Sequence, residues 1–148
     1  MIRFPARILP LLVLAALPAP AQNSTRLSTD VPIVNFRLPN FTADGHRAWL
    51  VRGSEARMTN ADEIDIKELT MSIFAPDGTD HIETILLSPQ ARVTPKEQVA
   101  SDPGPIRVIN DNFEATGIGW HYDHKTKIVS ISRHVRVILH SELKDLLK

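Results

Sequence analysis

The chain contains no cysteine, which excludes disulfides, thiolate metal sites and a lipid anchor built on a cysteine thiol. It has no net charge either, with 17 basic and 17 acidic residues mixed along its length. That is no footprint for nucleic acid or for an anionic membrane surface. Aromatic residues are sparse at 5%, so an apolar core has to come mostly from Val, Ile, Leu, Met and Ala. No apolar run reaches the roughly 20 residues of a membrane-spanning helix. There is no glycine-rich phosphate loop and no βαβ rhythm. No nucleophile sits in a glycine-flanked elbow and no carboxylate pair stands out, so neither enzyme activity nor a cofactor is expected.

What is present begins with a leader. Arg3 and Arg7 precede the apolar run Ile8 to Leu17, and Ala19-Pro20-Ala21 supplies small residues where a signal peptidase reads them. Residues 1–21 are expected to be a secretory signal peptide cleaved before Gln22, with an uncleaved membrane anchor as the alternative. Cleavage takes two arginines from the 17 basic residues and none from the 17 acidic ones, leaving a net charge of −2. Residues 22–30 are polar and aperiodic, a flexible lead-in. At the other end, residues 141–148 suit a short helix, with Ser141 as N-cap and Leu143, Leu146 and Leu147 on one side. Residues 31–140 remain as a single domain.

That domain alternates between apolar and polar residues with the two-residue period of β-strands. The clearest stretch runs from Asn112 to Leu139, which reads as three consecutive strands. Phe113, Ala115 and Gly117 share one face, then Ile118, Trp120 and Tyr122, then Val135, Val137 and Leu139. Upstream, Pro32 and Pro39 place the segment Val31 to Thr42 at a sheet rim. From His46 to Thr59, Trp49, Val51 and Gly53 share a face, and a bulge at Gly53-Ser54 shifts the register before Ala56 and Met58. Ile64 and Ile66 are followed by Leu69, Met71 and Ile73 on the opposite parity, which calls for a bulge near Lys67-Glu68 or for two short strands. His81 to Val93 carries Ile85, Leu87, Ala91 and Val93 on one parity, with Pro89 at a corner. Lys96 to Pro105 reads as a rigid turn-rich loop. Roughly ten short strands separated by turns predict an all-β sandwich, barrel or rolled sheet.

Laid out this way, the chain resembles periplasmic lipopolysaccharide-transport proteins of the LptA/LptC/OstA-like family. The resemblance rests on Trp49, Val51, Gly53 and Ala56 ahead of a long strand ended by Asp77-Gly78. It continues through the corner Ile85 to Val93 (ILLSPQARV) and the strand pair Phe113 to Asp123 (FEATGIGWHYD), closed by Val135 and Val137. It implies an antiparallel β-jellyroll rolled like a taco, whose interior takes the acyl chains of lipopolysaccharide. It also implies partners of the same type, joined by edge-strand pairing between an inner-membrane ABC transporter and the outer membrane. The lipid-lining candidates on this reading are Trp49, Val51, Ile64, Ile66, Leu69, Met71, Ile73, Ile85, Leu87, Val93, Phe113, Ala115, Val135 and Val137.

Two other readings stay open at the level of sequence. The same side chains fit a closed β-sandwich that meets other envelope proteins through its edges, since inward strand residues are usually core. A small metal-binding or hydrolytic domain would centre on His121, Asp123 and His124, although no third and fourth ligand is evident beside His121 and Asp123.

Overall fold

The computed structural model describes residues 31–140. The expected leader, lead-in and C-terminal helix fall outside the described residues. Seven strands follow one another as β1 (Ile33–Phe41), β2 (Arg47–Met58), β3 (Ile64–Phe74), β4 (Ile82–Thr94), β5 (Val99–Asn110), β6 (Phe113–Asp123) and β7 (Ile128–Leu139). Each pairs antiparallel with its neighbours in the sequence, giving one sheet in the order β1 to β7. The proline-bearing β1 lies at an edge, where a missing N–H interrupts no central ladder.

A single sheet with nothing packed on it would leave one side chain of every two exposed on each face. Here one face of β2 to β6 is buried, with Val51 and Leu86 both at 0% exposure, and no helix covers it among the described residues. The sheet therefore folds over on itself and encloses its own apolar face.

The fold line crosses all seven strands. The buried parity changes between Val51 and Ala56 in β2, between Ile66 and Leu69 in β3, between Ser88 and Ala91 in β4, and between Gly117 and Trp120 in β6. Left-handed backbone marks the line at Asn35 (φ 55°), Glu68 (φ 52°), Gly119 (φ 71°) and His134 (φ 50°). In β5 and β7 the inward parity is the same on both sides of the line, and the register with their neighbours shifts instead. Inserting an odd residue into an alternating strand swaps its faces, so the chain bends while the same face stays inside. Two glycines permit the close approach: a Cβ on Gly53 would collide with Ile66 Cγ2, and one on Gly117 with Ile131 Cγ2.

This crease explains why seven strands read as about ten in the sequence. β6 reads as two segments because its alternation breaks at the crease, yet the ladder continues through it. The bulges expected at Gly53-Ser54 and Lys67-Glu68 both occur, and they sit opposite each other, so β2 and β3 keep one register throughout. The expected loop over Lys96 to Pro105 is corrected: β5 begins at Val99 and runs through Pro103-Gly104-Pro105. The prolines fit because the ladder is already interrupted there on both sides, between Leu87 and Arg92 and between Asp102 and Pro105. The Asp102 carboxylate accepts the Gly104 N–H at 2.6 Å in place of a ladder partner.

Candidate functional site

The enclosed face is organised in rows that run across the strands. On one side of the crease, Leu38, Val51, Met71, Leu86, Val108, Ala115 and Val137 stand directly opposite one another from β1 to β7. On the other side, Met58, Ile64, Val93, Ala100, Tyr122 and Val129 form a second row from β2 to β7. Strands about 4.8 Å apart make the seven-residue row about 29 Å long. Every side chain in it is apolar.

The enclosed face is closed in the middle strands and open along both edge strands. Ala56 is fully buried while its β1 partner Ile33 is 47% exposed, and Ala115 is buried while its β7 partner Val137 is 53% exposed. Val135 and Leu139 are exposed with Val137. The enclosed apolar face thus runs out to solvent along both edge strands. Among the described residues, no neighbouring strand takes up the outer backbone groups of those edges.

The opposite face has a different chemistry. Beyond the crease it forms a concavity of about 840 Å³ lined by Arg57, Asp65, Arg92, Ser101, His121 and Ser130 among others. Arg92 grips Asp65 there with two hydrogen bonds of 2.8 and 3.3 Å, and the guanidinium holds the Asp65 carboxyl below its usual range. Arg107 and Glu114 form a similar pair at 2.7 and 3.0 Å, with the same effect on Glu114. The continuous apolar rows lie on the enclosed face, which is therefore the candidate site for an apolar ligand.

The family described as "Lipopolysaccharide-assembly, LptC-related" matches residues 20–140. This chain belongs to that family. It is a component of lipopolysaccharide transport, and its fold is an LptA-like jellyroll. Among solved structures it is similar to LptH of Pseudomonas aeruginosa, described as the LptA-homologous periplasmic component of the lipopolysaccharide transport device. The TM-score is 0.55 at 11% identity, over 75% of this chain and 94% of that one. No curated protein matches the sequence significantly.

In this LptC-related chain the residues singled out from sequence are placed as follows. Trp49, Val51, Ile64, Ile66, Leu69, Met71, Ile73, Val93 and Ala115 face inward and are buried. Phe113 faces inward and is partly buried, and Val135 and Val137 face inward on the exposed β7 edge. Ile85 and Leu87 are corrected to the outer face. Leu86 is the inward residue between them, and Leu87 stands opposite Arg107 beside an outer notch of about 510 Å³. Reading one parity from Ile85 to Val93 carried the alternation straight through Pro89, where the crease reverses it.

The lining candidates leave out inward Ala56, Leu86, Ala91, Ala100, Ile106, Val108, Trp120 and Tyr122, although parity already sets Ala91 beside Val93 and resumes at Ala56 after the bulge. Trp120 and Tyr122 were visible as an alternating pair, but Gly119 turns Ile118 to the outer notch and them to the core. The histidine constellation does not assemble. Asp123 Oδ1 accepts the Lys125 and Thr126 N–H groups at 2.8 and 3.4 Å and closes the β6–β7 turn. His124 Nδ1 lies 2.8 Å from the Tyr122 hydroxyl, and His121 faces the polar concavity. Among the described residues no three His, Asp or Glu side chains converge to hold a metal.

Proposed function

We propose that this protein shelters the acyl chains of lipopolysaccharide along its enclosed apolar face and passes them in the periplasm toward the outer membrane. The carrying observation is the row from Leu38 to Val137, apolar in all seven strands, on an enclosed face that reaches solvent at Ile33 of β1 and at Val137 of β7. Each methylene left in water costs about 0.8 kcal/mol, so a lipid crossing an aqueous compartment needs a lining that is continuous from one carrier to the next. An interior that opens at both edges meets that need. The outer edges of β1 and β7, unpaired among the described residues, support joining to other Lpt-type jellyrolls by strand addition, which would align the interiors end to end. The inner-membrane ABC transporter is the proposed source of the lipid.

The test is photo-crosslinking in cells that supply the rest of the transport machinery. A photoreactive residue is placed in turn at inward Phe36, Leu86 and Val137 and at outward Glu114 and Arg136. Lipopolysaccharide adducts at the inward positions alone are expected. A folded protein that gives no adduct at any of them would sink this reading and leave an interaction module joined through its edges.

A further inference from the structure

Trp49 and Trp120 are the two tryptophans of the chain, and both side chains are buried in the same interior. Their indole N–H groups are treated differently. Trp120 Nε1 donates to Ser88 Oγ at 3.2 Å, and that hydroxyl is itself held 2.7 and 2.8 Å from the Gln90 and Pro105 carbonyls. Trp49 is only 2% exposed, yet among the described residues its Nε1 has no acceptor. A buried donor without a partner carries its full desolvation penalty, and buried indoles usually find one. Phenylalanine would offer a smaller aromatic ring without that penalty.

The position of Trp49 suggests what the donor is for. Trp49 stands between Asn40 of β1 and Ile73 of β3, and the same row continues to Thr84 and Asn110. Asn110 donates to Thr84 Oγ1 at 3.2 Å within it. This row, which sets Asn40, Thr84 and Asn110 beside Trp49 and Ile73, lies by the hairpin ends, two residues along each strand from the wholly apolar row of Leu38 to Val137. A chain lying on the apolar row would bring an oxygen at its end, or near it, to Trp49. Neither row contains a lysine or arginine, so a neutral acceptor fits and a phosphate does not.

We infer that Trp49 Nε1 is a hydrogen-bond donor for an acyl oxygen of the bound lipid: an ester or amide carbonyl, or a hydroxyl on the chain. It would let the interior distinguish an oxygenated acyl chain from bare hydrocarbon. The inference rests on the lipid-trough reading above.

The experiment follows the two indole protons by NMR in ¹⁵N-labelled protein. The probes are purified lipid A, methyl 3-hydroxytetradecanoate and tetradecane, each below its aggregation limit. The hydroxy ester and lipid A are expected to move the Trp49 indole proton downfield, with Trp120 little changed, whereas tetradecane leaves Trp49 in its unbonded position. Trp49→Phe is expected to lose roughly 2- to 10-fold more affinity for the hydroxy ester than for tetradecane.

A Trp49 proton that stays put at saturating ester, or equal ester affinity in the two proteins, would overturn the role of Trp49 while leaving the trough standing. Failure of the wild type to bind any of the three probes would overturn both. A Trp49 proton already downfield in the free protein would show that its N–H has an acceptor without the lipid and end the proposal. Should Trp49→Phe fail to fold, the wild-type shifts alone decide.

Discussion

The Tyr122 hydroxyl meets Nδ1 of His124 at 2.8 Å, two residues further along the chain, where β6 enters its turn. The Tyr122 side chain is buried in the core, and burial first, then the Asp123 carboxylate, pushes its phenol well above the ordinary range. The phenol therefore keeps its proton, and it donates to Nδ1 when the neutral imidazole carries its own proton on Nε2. Burial, with Lys127 adding to it, lowers the pKa of His124 from its ordinary value of 6.5.

The sign of the resulting pH dependence follows. The folded protein binds the His124 proton more weakly than the unfolded chain, so this contribution to stability is full above pH 6.5 and is lost as pH falls through the lower folded value. Urea midpoints are expected to drop between pH 7.5 and pH 5, with a smaller drop in His124→Gln. Equal drops in the two proteins would remove His124 as the cause. Tyr122→Phe, which deletes the donor, is expected to cost about 1 kcal/mol at neutral pH.

Adjacent leucines should behave as opposites. Leu86 is fully buried and Leu87 faces the outer notch. Leu86→Ala is expected to cost about 2–5 kcal/mol through the cavity it leaves, and Leu87→Ala about 1 kcal/mol or less. Chemical denaturation of the two variants measures the difference, and the reverse order would mean that β4 does not change face at Pro89.

Gly117 leaves room for the Ile131 side chain of the neighbouring strand. Gly117→Ala is expected to cost about 1–3 kcal/mol by overpacking. Ile131→Ala in the same molecule removes the obstructing methyl, so the double variant should be more stable than the two single costs would give when added. Simple additivity in thermal melts would show that the two positions do not touch.

Charge on the apolar row should have opposite consequences at its middle and its end. Val51→Asp buries an unpaired carboxylate and is expected to unfold the protein, at a cost of several kcal/mol. Val137, half exposed on β7, should tolerate Asp with a stability change within about 0.5 kcal/mol. On the proposed function, Val137→Asp then stays folded but captures less lipopolysaccharide in the crosslinking assay. Undiminished capture by a folded Val137→Asp would separate the β7 edge from the lipid's path.

Much of this architecture was legible because two-residue alternation reports burial directly. The proline-marked edge strand, the inward side of β3 and the paired bulges at Gly53-Ser54 and Lys67-Glu68 could all be read from residue parity. Parity fails where three apolar residues adjoin. Ile85-Leu86-Leu87 fits either face, and only the reversal at Pro89, fixed by pairing with distant Arg107 and Val108, makes Leu86 the inward one. The Pro103-Gly104-Pro105 segment misled for a related reason. Proline chemistry argues against a strand only where the ladder needs an N–H, and where the ladder breaks is a tertiary fact. Trp49 was legible as an inward residue, but its unpartnered N–H was not, because partners come from the fold.

The bend repeated in seven strands has a mechanical meaning. A hinge confined to one loop yields to a small force, but here each strand bends at the same line and is hydrogen-bonded to its neighbours on both flanks of it. Lifting one strand would break two ladders, so the two leaves resist bending locally and part only together. Such a sheet is stiff along its length and gives way only at its free margins. A guest would be threaded through it lengthwise, from edge to edge, rather than admitted through its wall.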